Sequence, residues 1–376
     1  MVNDDHYTFN KKALRRWWKT LDDYRGRRAQ LRRCHTLDEV MHTLAFQAYA
    51  RPRLLGAGVG GSDEQRAAVA GLLAHIRDHA LEHASFAAQM ATSDSTGGRP
   101  PVSEMRFRRL LRKKSRAALY KPLRRGVYIL GTPPRANIFE VAQDVIYWGD
   151  TVRRRWAEDY YAVLFKNEPV PEVEQASKEE KRSAIWKAWW NELQQPKRRG
   201  DSAELRRCST LDAVMLATGY HRLLHYLRKA GVYQEQDKRQ HAAVAGLLAH
   251  VKHDDDRHIF AGRHAFAKQM ALSDRAADAF ADLDEETDDY REKRRKLRNQ
   301  TQNGNFGSAP LSGLRFRRLV QIEDRAVLFR KLIRTLRLLG GHANVADLAD
   351  AVFFWNDDRR RGWSLAYYQH APSDEP

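Results

Sequence analysis

Apolar positions along this chain recur with helical rather than strand spacing. Ile138, Val141, Ala142, Val145, Gly149, Val152 and Trp156 follow one another at intervals of three and four, which predicts one long amphipathic helix. Val345, Leu348, Ala349 and Val352 repeat the spacing further on. In residues 105–114, MRFRRLLRKK, a rotation of about 100° per residue gathers Phe107, Leu110 and Leu111 on one face. Arg108, Arg109, Arg112 and Lys113 fall on the opposite face, with Arg106 at the flank. Period-2 alternation bounded by turn residues is nearly absent, so the expected fold class is all-α.

The helical patterns come in pairs. AAVAGLLAH stands at 67–75 and again, letter for letter, at 242–250. In the same order along the chain, QLRRC (30–34) returns as ELRRC (204–208), and TLDEVM (36–41) as TLDAVM (210–215). FAAQMATSD (86–94) answers to FAKQMALSD (266–274), and MRFRRLL (105–111) to LRFRRLV (314–320). ANIFEVAQDVIYW (136–148) answers to ANVADLADAVFFW (343–355), each followed by an arginine cluster, a tryptophan and a Tyr-Tyr pair. The period is a whole domain, well beyond the roughly 20–50 residues of solenoid repeats. The sequence therefore predicts two tandem homologous helical-bundle domains, at 1–165 and 184–370.

Between them, KNEPVPEVEQASKEEKRS (166–183) combines proline with dense charge and no apolar period, the composition of a linker. Extended, it spans at most roughly 60 Å. The tail APSDEP is expected to fray. Copy two carries a charged insertion at 275–309, acidic in ADLDEETDDY and basic in REKRRKLR, which is expected to be solvated and flexible. GAGVGGSD (56–63) follows no strand and lacks the GK[ST] ending of a phosphate loop, so it reads as a connection.

Composition sharpens this picture through charge. Hydrophobic residues make up 42% of the chain, enough for globular folding, while the formal net charge is +18 and the pI is near 9.9. An excess of that size points to a polyanionic partner. Nucleic acid is favoured over membrane because no apolar stretch approaches 18 residues and MVNDDHYTF has neither a basic nor an apolar leader region. A cytoplasmic location is expected. Cys34 and Cys208 occupy the same position in the two copies and read as small core residues, not a disulfide.

Most of the 66 basic residues are arginine, whose planar fork matches phosphate oxygens. Three clusters recur. The first is Arg32 and Arg33 with Arg206 and Arg207. The second is Arg106, Arg108, Arg109 and Arg112 with Arg315, Arg317 and Arg318, Gln321 standing where the last arginine would be. The third is Arg153, Arg154 and Arg155 with Arg359, Arg360 and Arg361. These are the candidate phosphate-binding residues. Trp17, Trp18, Trp148 and Trp156, and their counterparts Trp189, Trp190, Trp355 and Trp363, lie on apolar stripes and read as core rather than base-stacking platforms.

His75 and His79 have the i, i+4 spacing of a metal pair, but copy two pairs His250 with Asp254, and no matching carboxylate set repeats. His253-Asp254 resembles half of an HD phosphohydrolase signature, and no nucleophile elbow is present. No catalytic residue, metal or cofactor is expected; a metal-dependent nuclease built on His75, His79, His250 and His253 is a rival reading.

ELRRC, VAGLLAHV, FAxQMA, LRFRRLL, the LRLLG to NVADLA segment and W-x-x-x-RRRW-x-x-x-YY form an ordered series that resembles the CasB family, the small subunit of the type I-E CRISPR surveillance complex Cascade. The resemblance covers both copies and leaves out the linker and the insertion. It implies a non-enzymatic all-α subunit that works beside the backbone and large subunits. It also implies that basic faces hold the guide RNA and target DNA backbones and steady the displaced non-target strand. Carried over motif by motif, the contacts are Arg32, Arg33, Arg106, Arg109, Arg112, Arg153 and Arg154, and in copy two Arg206, Arg207, Arg315, Arg318, Arg359 and Arg360. Members are ordinarily single domains, so the fusion is expected to replace a separate pair and to make the second docking intramolecular. A free-standing RNA or DNA chaperone is the other rival.

Overall fold

The computed structural model describes residues 8–79, 85–93, 98–131, 133–172, 177–260, 262–283 and 289–372. The chain divides into two compact units, Met1–Glu168 and Pro169–Pro376. Unit one runs through α1 (Lys11–Asp23), α2 (Arg25–Arg33), α3 (Leu37–Met41), a π-helical turn Ala45–Ala50, α4 (Arg51–Gly56), α5 (Asp63–Leu73), α6 (Phe86–Ala91), α7 (Glu104–Leu111), α8 (Arg116–Ile129), α9 (Ile138–Ile146) and α10 (Asp150–Leu164). Unit two runs through α11 (Lys178–Leu193), α12 (Arg199–Arg207), α13 (Leu211–Val214), α14 (Thr218–Lys229), α15 (Lys238–Leu248), α16 (Ala265–Ala271), α17 (Asp274–Ala281), α18 (Tyr290–Gln302), α19 (Gly313–Val320), α20 (Arg325–Leu338), α21 (Val345–Phe353) and α22 (Asp357–Tyr368). The fold is all-α. Among the described residues the strands are two parallel two-residue pairs, Asp78 and His79 against Arg135 and Ala136, and His253 and Asp254 against His342 and Ala343.

The letter-perfect repeat is explained by burial. All of residues 67–75 are buried, as are 242–249, because α5 and α15 are the central helices of their units and are enclosed on every side. Gly71 admits the ring of Tyr120: a Cβ there would lie 2.2 Å from the Tyr120 hydroxyl oxygen. Gly246 does the same for Phe329, at 2.6 Å. Such a helix has no solvent face on which substitution is free.

The single long helix expected over 138–156 is two helices. Tyr147 ends α9, and Gly149 is extended (φ −171°, ψ −169°) as the N-cap of α10. The apolar spacing runs through the break because Trp148 and Trp156 meet edge to face at 4.9 Å. Copy two breaks at the same place, with the Asn356 side chain capping Arg359 N at 3.0 Å.

The last residues of the expected linker belong to α11, which a Ser177/Glu180 capping box starts. The insertion, expected as a flexible segment, contains α17 and α18. They build a small apolar cluster of Ala276, Ala277 and Phe280 with Ile259, Phe260, Ala265 and Leu272, against which Leu297 and Phe306 pack. The charge blocks hid those few apolar anchors. Parts of the linker (173–176), insertion (284–288) and tail (373–376) lie outside the described residues. No helix among those described is long and apolar enough to cross a membrane.

Candidate nucleic-acid interface

Outward-facing arginines recur at a groove between consecutive helices, α7 and α8 in copy one and α19 and α20 in copy two. On α7, Phe107, Leu110 and Leu111 are buried and Arg106 and Arg109 are exposed; Arg112, just past the helix end, is exposed too but lies outside the groove lining. Phe107 stacks on Tyr160 at 3.8 Å, as Phe316 stacks on Tyr367 at 3.9 Å, which holds the apolar face down and turns the guanidinium groups up. Ser115 caps α8 by accepting from Ala118 N (3.2 Å), and Asp324 caps α20 by accepting from Val327 N (2.7 Å). The turn between the two helices is pinned by an indole: Trp148 Nε1 donates to Lys113 O and Trp355 Nε1 to Ile322 O, both at 2.7 Å.

In copy one the groove has a volume of 790 Å³, with Arg106, Arg109, Lys113, Lys121 and Arg125 around an apolar floor that includes Leu110 and Ile129. In copy two it has 490 Å³, with Arg315, Arg318, Lys331, Arg334 and Arg337 around Leu311, Leu319 and Leu338. Small Pro122 and Gly126 give way to Lys331 and Thr335, and the groove narrows. No carboxylate lines either groove among the described residues. Arginine sits at the same three positions in both: 106, 109 and 125, and 315, 318 and 334.

Arg125, Arg334, Lys121, Lys331 and Arg337 were missed in the sequence. Their signal was the helical spacing of basic positions along LYKPLRRG and LFRKLIRT, which becomes visible once this helix is paired with its neighbour. Arg32 reaches the same end of the groove, its guanidinium 6.0 Å from the Tyr128 ring. Arg206 is its counterpart: with Arg337 it acts on His250, as Arg32 does on His75. Arg33 and Arg207 are exposed at the ends of α2 and α12, outside the groove lining; half-buried Arg108, which pairs with Glu104 at 3.5 Å, and exposed Arg317 lie outside it too.

The third cluster is structural in large part. Arg153 is 8% exposed; its Nη1 donates to Leu111 O at 3.0 Å and its Nη2 to Asp150, so it ties α10 to the end of α7. A phosphate has no access to a guanidinium so enclosed, and the expectation that Arg153 contacts nucleic acid is corrected. Arg360 makes the corresponding pair with Asp357 and adds Glu323. Arg359 is bound to Asp350 with its side chain 12% exposed. Arg154 is half-buried. These arginines position the groove's walls rather than line it.

His79 and its copy-two counterpart Asp254 both lie at helix starts. His79 Nδ1 faces Ile138 N at 3.4 Å, at the start of α9, and Asp254 accepts from Val345 N at 2.9 Å, at the start of α21. One acceptor replaces the other, which is why the i, i+4 pair is not repeated. Burial drives His75 down to about 3 and His250 to about 4, so both imidazoles are neutral in the core at pH 7. Among the described residues no group of three or more His, Cys, Asp or Glu side chains converges as metal ligands. The eight tryptophans in question are buried. Cys34 and half-buried Cys208 donate to the carbonyls of Gln30 and Glu204 and are not joined.

A family model described as CRISPR-associated protein Cse2 matches the chain twice, over residues 27–161 and 201–368. No curated protein and no solved structure matches it.

Proposed function

This chain belongs to the CRISPR-associated Cse2 family, with the family's domain present twice, and from that premise we propose that it is the non-catalytic small subunit of a type I-E Cascade complex. One fused chain takes the place of two separate subunits. Its two cationic grooves hold sugar–phosphate backbones of the guide RNA, the target strand and the displaced strand, and so lengthen the life of the R-loop. Base pairing supplies the sequence specificity, and the protein supplies positive charge at fixed spacing.

The observation that carries this reading is the arginine triad at matching positions in both grooves, with no carboxylate among the lining residues. The apolar floor under the triad keeps the guanidinium stems extended and their forks directed outward. Covalent linkage places the second domain at an effective concentration of order mM once the first is bound. The partners are the backbone and large subunits of the complex together with the nucleic acid.

The test is Arg106→Glu with Arg109→Glu and Arg125→Glu, in the chain co-expressed with its neighbouring genes and a guide RNA. Binding to the target should weaken without a change in sequence preference. The slope of log K against log salt should flatten by about 3, at roughly 0.9 per lost duplex phosphate contact. An unchanged slope and R-loop lifetime, with circular dichroism intact, overturns the groove assignment. A chain that purifies without RNA or other subunits overturns the Cascade assignment in favour of a free-standing chaperone.

A further inference from the structure

Helix α18 has no counterpart in copy one, where residues 95–104 occupy the interval that 275–313 occupies in copy two. It is anchored to its own unit. Leu297 packs into the small cluster formed by α17, Thr301 is buried, and Arg298 Nε donates to Gln369 O at 2.9 Å, at the end of α22. Its remaining charged side chains are exposed, and they are sorted. The two lysines are neutralised within the insertion: Lys293 pairs with Asp289 at 2.9 Å and Lys296 with Glu292 at 2.8 Å. The arginines fall elsewhere. At about 100° per residue, Arg291, Arg294, Arg295 and Arg298 share a stripe roughly 100° wide. The paired lysines lie on the other side.

Arg291 and Arg295 are exposed and have no carboxylate within ion-pair distance among the described residues. They succeed one another by one turn, about 6 Å along the axis. The stripe carries no aromatic platform: Tyr290, the helix's one ring, is half-buried with the Arg294 guanidinium 5.8 Å from its centroid. Single strands are held by basic grooves with stacked bases, whereas a row of arginines without stacking partners matches the outer phosphates of a duplex.

We propose that α18 is a second nucleic-acid surface, separate from the grooves, which grips the phosphate backbone of duplex DNA without reading its sequence. This rests on the reading that the chain works on nucleic acid, and it adds a contact that copy one lacks.

The experiment compares three forms of the full chain: unaltered, Arg291→Gln with Arg295→Gln, and the groove triple variant. Each is titrated with a 30-base-pair duplex of arbitrary sequence and with the corresponding single strand, over a range of salt. The expected result is that the α18 variant loses about two contacts from the duplex salt slope, roughly 1.8 in slope, and binds the single strand as the unaltered chain does. An unchanged duplex slope in the α18 variant, with the groove variant weakened, overturns this inference and leaves the groove reading standing. A loss confined to the single strand overturns the duplex assignment. Salt-independent or absent binding by the unaltered chain overturns both readings. Charge-reversed Arg291→Glu with Arg295→Glu should enlarge the loss; both positions are solvent-exposed, and helicity by circular dichroism checks the fold.

Discussion

Copies one and two keep the same ion pair in different registers. In copy one the carboxylate is Asp144, fully buried at the end of α9, which accepts from Arg155 and from Trp156 Nε1 at 2.6 Å. In copy two the residue aligned with Asp144 is Ala351 and the residue aligned with Arg155 is Gly362. The pair is instead Asp350 with Arg359, each one position or more away from where the sequence alignment would place it. Trp363 Nε1 is left buried without a partner, and the imidazole of His264 fills the space at Gly362, where a Cβ would approach it to 2.3 Å. What is kept is a guanidinium clamped between the last two helices; the residue numbers that supply it are free to move. An arginine cluster that looks repeated in sequence is thus two solutions to one packing problem.

The sharpest way to break this comparison is to remove the carboxylate. Asp144→Ala should destabilise copy one by about 1–3 kcal/mol, mainly the cost of leaving Trp156 Nε1 buried without an acceptor, since Arg155 is half exposed and can turn to water. Asp144→Ala with Gln143→Asp and Val152→Arg, which rebuilds the pair in copy two's register, should cost less. Equilibrium unfolding followed by hydrogen exchange on peptides from each copy separates the two. A triple variant as unstable as the single removes the argument.

The central helices should respond alike. Gly71→Ala drives a methyl into Tyr120 and Gly246→Ala into Phe329, each at a cost of about 1–3 kcal/mol by overpacking. Hydrogen exchange should quicken in the altered copy. A variant as well protected as the parent would mean that the ring moves aside.

Half-buried Glu140 and buried Asp347 separate the copies by pH. Burial, with Asp144 adding, pushes Glu140 up to about 8, though it accepts from Phe86 N; burial pushes Asp347 up to about 6, though it accepts from His264 N and Phe266 N. A carboxyl raised in the folded state binds its proton more tightly there than in the unfolded chain. The stability it confers is full below its ordinary value, 4.5 for Glu140 and 3.8 for Asp347, and declines as pH rises through the folded value. Between pH 6 and 8 protection should therefore fall in copy one and hold steady in copy two, by at most about 1.4 kcal/mol per pH unit. Glu140→Gln should abolish the difference.

The smallest effect is expected from exchanging the helix-start acceptors. His79→Asp puts copy two's residue into copy one and should cost less than about 1 kcal/mol, since a carboxylate serves a helix N-terminus at least as well as an imidazole. A loss of several kcal/mol, or of an activity, would return His79 to the list of functional groups.

The fold class and the duplication were legible because both rest on apolar spacing and identity, and burial preserves both. Gly71 and Gly246 stand in identical strings for a reason the sequence could not state, namely the aromatic ring each admits. The arginines were legible as clusters but not as groups with roles. Arg106 and Arg109 face the groove, while Arg153, three residues from an aspartate, is consumed by it. Periodicity places a residue on a face and says nothing of which carboxylate or carbonyl meets it. Arg125 and Arg334 went unread because a groove belongs to two helices at once. The insertion was misjudged because Phe280, Leu297 and Phe306 are sparse among charges, yet suffice when an apolar patch is already there to receive them.

The displaced ion pair has a genetic consequence. Two similar stretches in one gene invite exchange between them, and an exchange at the break between the last two helices, at Tyr147 or Phe354, would join Asp144 to Gly362 and separate Arg359 from Asp350. Both halves of the clamp would be orphaned in one product. The register shift thus makes each terminal helix pair a unit that an exchange must take whole to keep its clamp.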